Sequence, residues 1–285
     1  MNEYAQAEIH ERNKVSGQPI ALTIAGFDPS SGAGITADLK VFAAHDIYGM
    51  ACITALTVQS TLGVRRVEPV APETIRETLA CLRDDVMPAG VKIGMQATAE
   101  AVTETARFLA ESGIDRRRVV LDPVNRSSSG GELLSSEGLA RLQSELLAHV
   151  GWITPNVEEL AQLTADEPLS RAEIPLASAR LQNLARQGGN PDLHVVVTGG
   201  HLDRPDDFLL TPDGRESWLK GERVETQSTH GTGCAFSSAI LCQLMRGIEA
   251  KQAVTNAKAY VTAALRAAYP VGQGKGPMHH LYRLG

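Results

Sequence analysis

Aromatic side chains are scarce: Phe, Trp and Tyr make up 4% of the 285 residues, so any core must be aliphatic. Positive charge is also in deficit. The net charge is −6 and no sizeable basic run occurs, which argues against nucleic acid or an anionic membrane as the main partner. No stretch approaches the ~20 apolar residues of a membrane span. The four cysteines, Cys52, Cys81, Cys234 and Cys242, form no C-x-x-C pair and lie in apolar, periodic segments. They suit a reduced, cytoplasmic compartment better than a disulfide framework. There is no G-x-x-x-x-G-K-[ST], no H-E-x-x-H and no G-x-S-x-G, which leaves out a P-loop, that zinc site and a hydrolase elbow.

What is present is ordinary globular material, 43% hydrophobic and 21% charged. Residues 1–18 are polar, lack the apolar stretch of a secretory signal, and read as a frayed tail. Residues 19–285 show no shift in composition and read as one domain. "PIALTIAG" (19–26) and "MACITALTV" (50–58) are short apolar runs expected to be buried strands. Further strands are expected at 90–94, 118–121, 150–154 and 193–198. Helices are expected at 32–46, 72–86, 98–112, 135–148, 156–164, 176–187, 232–246 and 249–268. A D-G turn within 207–225 predicts an antiparallel hairpin. Strand–helix alternation of this kind predicts an α/β fold, a mostly parallel sheet with helices on both faces and a small hairpin at one side. Ligands in such sheets bind beyond the carboxyl ends of the strands.

The loops at those ends carry the candidates. "THGTGC" (229–234) sets Gly231, Thr232, Gly233 and Cys234 at a helix start. Unpaired N–H groups and the helix dipole there suit an anion; the alternative is a Gly-rich cap over a structural cysteine. "FDPSSGAG" (27–34) opens another helix, where Asp38 shares a face with Gly34 and is either a ligand or a solvated helix residue. Its G-x-G-x-x-A match is a poor dinucleotide site, because five residues separate Gly26 from Gly32. Gln59 follows a strand, and its amide suits a ring nitrogen beside an exocyclic amine, or is a plain loop residue. Asp122 ends "VVLDP" where magnesium or a phosphate-bound water would suit it. The Ser/Gly loop behind it would close over phosphates with Arg126 supplying charge; the alternative for the segment is a helix-capping turn and a mobile surface loop. Asn156 and Glu159 have the spacing of phosphate-site chemistry and equally of a capping box. "VVVTGGHLD" (195–203), with Thr198 and Gly200, ends a strand where a nucleotide could lie.

Eight segments in this order, "ALTIAGFDPSSGAGITADLK", "ITALTVQSTLGV", "VKIGM", "LDPV", "ITPNVEEL", "GGHL", "THGTGC" and "GKGPMHH", resemble the ribokinase-like superfamily. Within it they resemble the hydroxymethylpyrimidine/phosphomethylpyrimidine kinases of thiamine biosynthesis. The resemblance implies a three-layer ribokinase-like sandwich. It implies phosphoryl transfer from ATP, with Mg2+, to 4-amino-5-hydroxymethyl-2-methylpyrimidine and then to its monophosphate. A monovalent cation stays an open possibility. By position it places Gln59 on the aminopyrimidine with Gly26, Ala33, Asp38, Met95 and Val124 around it. Asp122, Asn156 and Glu159 would organise metal and phosphates, Asp122 and Glu159 through water. Gly231 to Cys234 would form the anion hole, with Thr198, Gly200 and Arg126 on the nucleotide side. A homodimer is implied as well.

Cys234 stands where sugar kinases of the superfamily carry an aspartate base. A helix start lowers a thiol pKa while phosphate raises it, so Cys234 is expected to accept the alcohol proton. Two lysines usual in the family are replaced, by Thr198 and by Ser128. Pyridoxal kinase on the same fold is the nearest rival reading, and a non-catalytic nucleotide or vitamin sensor is the rival from another class.

Overall fold

The computed structural model describes residues 17–127, 130–165, 169–200 and 202–284. The expected tail, apart from residues 17–18, and Ser128 lie outside them. Nine strands form one sheet in the order β3-β2-β1-β4-β5-β6-β7-β8-β9. They are β1 (Ile20–Phe27), β2 (Tyr48–Ser60), β3 (Gly63–Pro69), β4 (Gly90–Ile93), β5 (Val119–Leu121), β6 (Trp152–Ile153), β7 (His194–Val197), β8 (Asp207–Leu210) and β9 (Glu216–Leu219). Strands β2, β1, β4, β5, β6 and β7 run parallel; β3, β8 and β9 are antiparallel additions at the two edges.

Eight α-helices accompany the sheet among the described residues: α1 (Gly34–Ala44), α2 (Pro72–Asp85), α3 (Ala99–Ser112), α4 (Ser136–Arg141), α5 (Val157–Thr164), α6 (Ile174–Gln187), α7 (Thr232–Met245) and α8 (Ala250–Arg266). Alternating side chains of each strand feed two cores. Leu22, Ile24, Val91, Ile93 and Leu121 pack with residues of α2 to α6 on one face. Ala21, Val120, Trp152 and Val196 pack with α1, α7 and α8 on the other. The expected three-layer α/β sandwich is therefore present, and its central strands are apolar on both faces because helices cover both.

Two expectations needed revision. Strand β3 was not anticipated: it is an edge strand with neither face buried, so "GVRRVEP" carries no alternation of apolar and polar residues to betray it. The helix expected over 135–148 is only α4, followed by a π turn at Leu142–Leu146 and a 3-10 turn at Leu147–His149. The wider turn accompanies burial of Leu142, Leu146 and Leu147 together. The hairpin expected within 207–225 is β8–β9, and it extends the main sheet.

The chain runs from β1 outward to β2 and β3, then returns to the other side of β1 with β4. Strand order thus reverses between β1 and β4, and a crevice opens beyond their carboxyl ends. Asp28, Met95, Asp122, Asn156 and Thr198 all follow the carboxyl ends of parallel strands.

Candidate active site

The loops 27–34 and 229–234 interlock at this crevice. Gly231 is the N-cap of α7 with φ +81°, a left-handed conformation that side chains disfavour. A Cβ on it would lie 1.8 Å from the Gly32 carbonyl oxygen. Tertiary contact with the first loop therefore demands glycine at 231. Gly233 differs: a Cβ there would meet nothing nearer than Asp122 Oδ2 at 3.9 Å. The space facing Asp122 at the start of α7 is open. No side chain caps α7 and no acidic residue sits in its first turn, so its leading N–H groups and positive dipole end face that space.

Cys234 is the third residue of α7. Burial pushes its thiol up to about 12, with nearby Asp122 and Asp38 pushing the same way, against the pull of Lys92 and of the Gly34 N–H. The expectation of a thiol eased toward thiolate by the helix start is corrected: desolvation outweighs the dipole, and Cys234 rests as a neutral thiol.

Beneath it lies a charge cluster that the sequence reading missed. Lys92 is wholly buried in β4; its ammonium lies 3.1 Å from Asp38 Oδ2 and 4.0 Å from Asp122 Oδ2. Asp38 is neither solvated nor open to the crevice. It has no exposed surface, and its oxygens accept from Thr23 Oγ1 at 2.6 Å, Lys92 and Ser238 Oγ at 2.7 Å. A lysine in the apolar run "GVKIG" was the available signal, because a buried charge must be paired. Asp122 also accepts from Ser237 Oγ at 3.3 Å, and burial raises its carboxyl, opposed by Lys92.

Asn156 and Glu159 form a reciprocal capping box on α5: Glu159 N–H donates to Asn156 Oδ1, and Asn156 N–H donates to Glu159 Oε2, each at 2.9 Å. The Asn156 oxygen is thus engaged by its own helix. Burial, together with repulsion from Asp122, pushes Glu159 up to about 8. Thr198 lies beside Asn156 in a parallel bridge, and Gly200 is exposed with open space around it. Arg126 is exposed at the foot of its loop, bridged to Glu132.

On the ring side, Met95 Sδ covers Gly26, at 2.9 Å from where a Cβ would stand. Val124 is half-buried. The Ala33 N–H is taken by Asp28 Oδ2 at 2.9 Å. The Gln59 amide lies 3.1 Å from His230 Nε2, which in turn lies 2.7 Å from Asp28 Oδ2. Asp28 and His230 were not singled out from the sequence; only their contact across 202 residues reveals them. Among the described residues no group of three or more His, Cys, Asp or Glu side chains could hold a metal by themselves, and no helix is long and apolar enough to cross a membrane.

Comparison with known proteins identifies the family and the fold. The profile of the phosphomethylpyrimidine kinase family matches residues 28–279. The hydroxymethylpyrimidine/phosphomethylpyrimidine kinase of Streptomyces coelicolor is 38% identical over 94% of this chain and 96% of its own. The crystal structure of phosphomethylpyrimidine kinase from Clostridium difficile 630 superposes with a TM-score of 0.74 at 34% identity, over 87% of this chain and 99% of that one. The ADP complex of Bacillus subtilis pyridoxal kinase superposes with a TM-score of 0.82 at 32% identity, over 94% and 100%. With its fold and nearly its whole length shared with these kinases, the chain belongs to the phosphomethylpyrimidine kinase family.

Proposed function

We propose that this chain is a hydroxymethylpyrimidine/phosphomethylpyrimidine kinase, moving the γ-phosphoryl group of ATP to the hydroxymethyl group of the aminopyrimidine and then to its monophosphate. The observation that carries the reading is the contact between Gln59 and His230. It sets the ring-reading amide one residue from the loop that opens on Asp122, so a flat heterocycle and a migrating phosphate share one crevice. The phosphoryl group would sit in the open space at Gly233, where the N–H groups of α7 stabilise its equatorial oxygens.

The donor set fits magnesium bound mainly by water and phosphate oxygens. Asp122 and Glu159 are buried carboxylates that repel one another, which a divalent cation relieves, and hard oxygen donors suit it. Magnesium would supply charge neutralisation on the nucleotide phosphates. Asp122 would hold it from the floor of the site, and Glu159 from α5, each through water. Thr198 and Gly200 would line the nucleotide side, and Arg126 would supply positive charge to the phosphates. Cys234 borders the reacting hydroxyl as a thiol and orients it; as the new O–P bond forms and the bond to ADP breaks, the hydroxyl proton passes to an oxygen of the transferred phosphoryl group. Transfer through a loose transition state needs positioning and charge stabilisation more than a strong base.

The test is a product assay with ATP, magnesium and the free pyrimidine alcohol, resolving monophosphate from diphosphate. Absence of both products would refute the reading. Pyridoxal kinase is the second reading, favoured by the likeness to the Bacillus subtilis enzyme; a side-by-side assay with pyridoxal decides between them. Residues 19–285 act as one domain in this proposal, in the cytoplasm, as a homodimer.

A further inference from the structure

The ring nitrogen Nε2 of His230 has two polar neighbours, Asp28 Oδ2 at 2.7 Å and the Gln59 amide at 3.1 Å. It can donate or accept, never both. Asp28 settles which. Its carboxylate already accepts from Ser30 N–H, Ser30 Oγ, Gly32 N–H and Ala33 N–H. Burial raises its pKa, but His230, Ser30 and Ala33 outweigh that and hold it at about 2. An ionised carboxylate only accepts, so His230 Nε2 carries the proton. The Gln59 atom facing it must then be the oxygen, since an amide NH2 would point hydrogens at hydrogen. The NH2 end turns to Thr57 Oγ1, 3.1 Å from the amide, whose own hydrogen goes to the Phe27 carbonyl at 3.0 Å. The single Nε2 hydrogen is shared between Asp28 and the Gln59 oxygen, the shorter arm on Asp28, and the Thr57 hydroxyl both accepts and donates. The imidazole itself is seated by shape: a Cβ on Gly32 would lie 2.3 Å from His230 Cδ2.

We propose that His230 is a specificity-determining positioning residue, which with Asp28 fixes the orientation of the Gln59 amide and hence the ring edge the site accepts. The inference rests on the functional reading above only for the identity of the ring. Held this way, Gln59 keeps one N–H and one oxygen lone pair free, in a set order. An aminopyrimidine edge, with a ring nitrogen beside an exocyclic amine, answers both. Pyridoxal has no amine beside its ring nitrogen and answers at most one.

The test compares His230→Leu, His230→Gln, Gln59→Ala and Gln59→Ala/His230→Leu in kinase assays with the pyrimidine alcohol and with pyridoxal. His230→Leu should raise the pyrimidine KM about tenfold or more, leave the ATP KM within about twofold, and reduce the preference over pyridoxal by the same factor. His230→Gln, whose amide N–H reaches the same two oxygens, should restore most of it. In the Gln59→Ala background His230→Leu should add nothing, because its effect passes through Gln59. Multiplying effects, or an ATP KM that moves as far as the pyrimidine KM, would overturn the proposal. Nitrogen-15 spectra of the ligand-free wild-type protein, assigned with His230→Gln, must show the imidazole proton on Nε2; a proton on Nδ1 alone overturns it even if His230→Leu fails to fold. If neither alcohol were phosphorylated by the wild type, the functional reading would fall while the spectra still judged His230.

Discussion

The Lys92 ammonium lies between Asp38 and Asp122, 3.1 Å from one carboxylate and 4.0 Å from the other, with no surface exposed to solvent. It ties helix α1 to the floor of the crevice through a single buried cation.

Stability should register that tie. Removing one member of a buried ion pair leaves the other charge stranded and costs about 3–5 kcal/mol. Lys92→Met is expected to lose that much in urea unfolding. Lys92→Met/Asp38→Asn, which removes both charges, should recover most of it. A single variant within about 1 kcal/mol of the wild type would mean that the pair carries little.

The two glycines of the anion loop should separate stability from activity. Gly231→Ala meets the Gly32 carbonyl and a left-handed backbone, so its melting temperature should fall. Gly233→Ala meets no obstacle and adds helix propensity of up to about 1 kcal/mol, so it should melt at or above the wild type. Its methyl group occupies the space facing Asp122, and kcat/KM for ATP should drop about tenfold or more. A Gly233→Ala enzyme of normal activity would argue against a phosphate in that space.

Cys234 should behave as a protonated thiol. With its pKa pushed up to about 12 by burial, iodoacetamide near neutral pH should modify the exposed Cys81 and spare Cys234. Cys234→Ala should slow turnover about tenfold through lost orientation of the hydroxyl, and Cys234→Ser less. Rapid labelling of Cys234 in a Cys81→Ser protein at pH 7.5 would contradict the neutral thiol.

Two carboxylates pull the pH dependence of stability in opposite directions. The pKa of Asp28 falls on folding from 3.8 to about 2, so its contribution, on the order of 2 kcal/mol, is complete above pH 4 and disappears as pH falls toward 2. Asp28→Asn should flatten the acid limb. The pKa of Glu159 rises on folding from 4.5 to about 8. The folded state therefore holds a proton that the unfolded state has lost, and stability declines as pH rises from 4.5 to 8. Thermal melts of Glu159→Gln should lack that decline, and magnesium with nucleotide should lessen it in the wild type.

Much of this was readable in the chain before any fold was known. Buried strands such as "ALTIA" announce themselves because both faces are apolar, and "NVEEL" carried its capping box in plain spacing. What escaped had a common cause. Strand β3 gains its structure from pairing with β2 rather than from burial. Lys92 and Asp38 each look like surface residues until they are seen to neutralise one another. Asp28 and His230, 202 residues apart, have no local pattern that could join them.

The order of residues alone determined an aliphatic α/β domain, the positions of its helix starts, and which loops would face the crevice, because periodicity and capping are local properties. Only the tertiary structure decided that Asp38 is buried on a lysine, that Cys234 rests as a thiol, and that Gln59 is held by His230. Those outcomes depend on desolvation and on charges brought together from distant parts of the chain, and neither is defined until the sheet has closed around them.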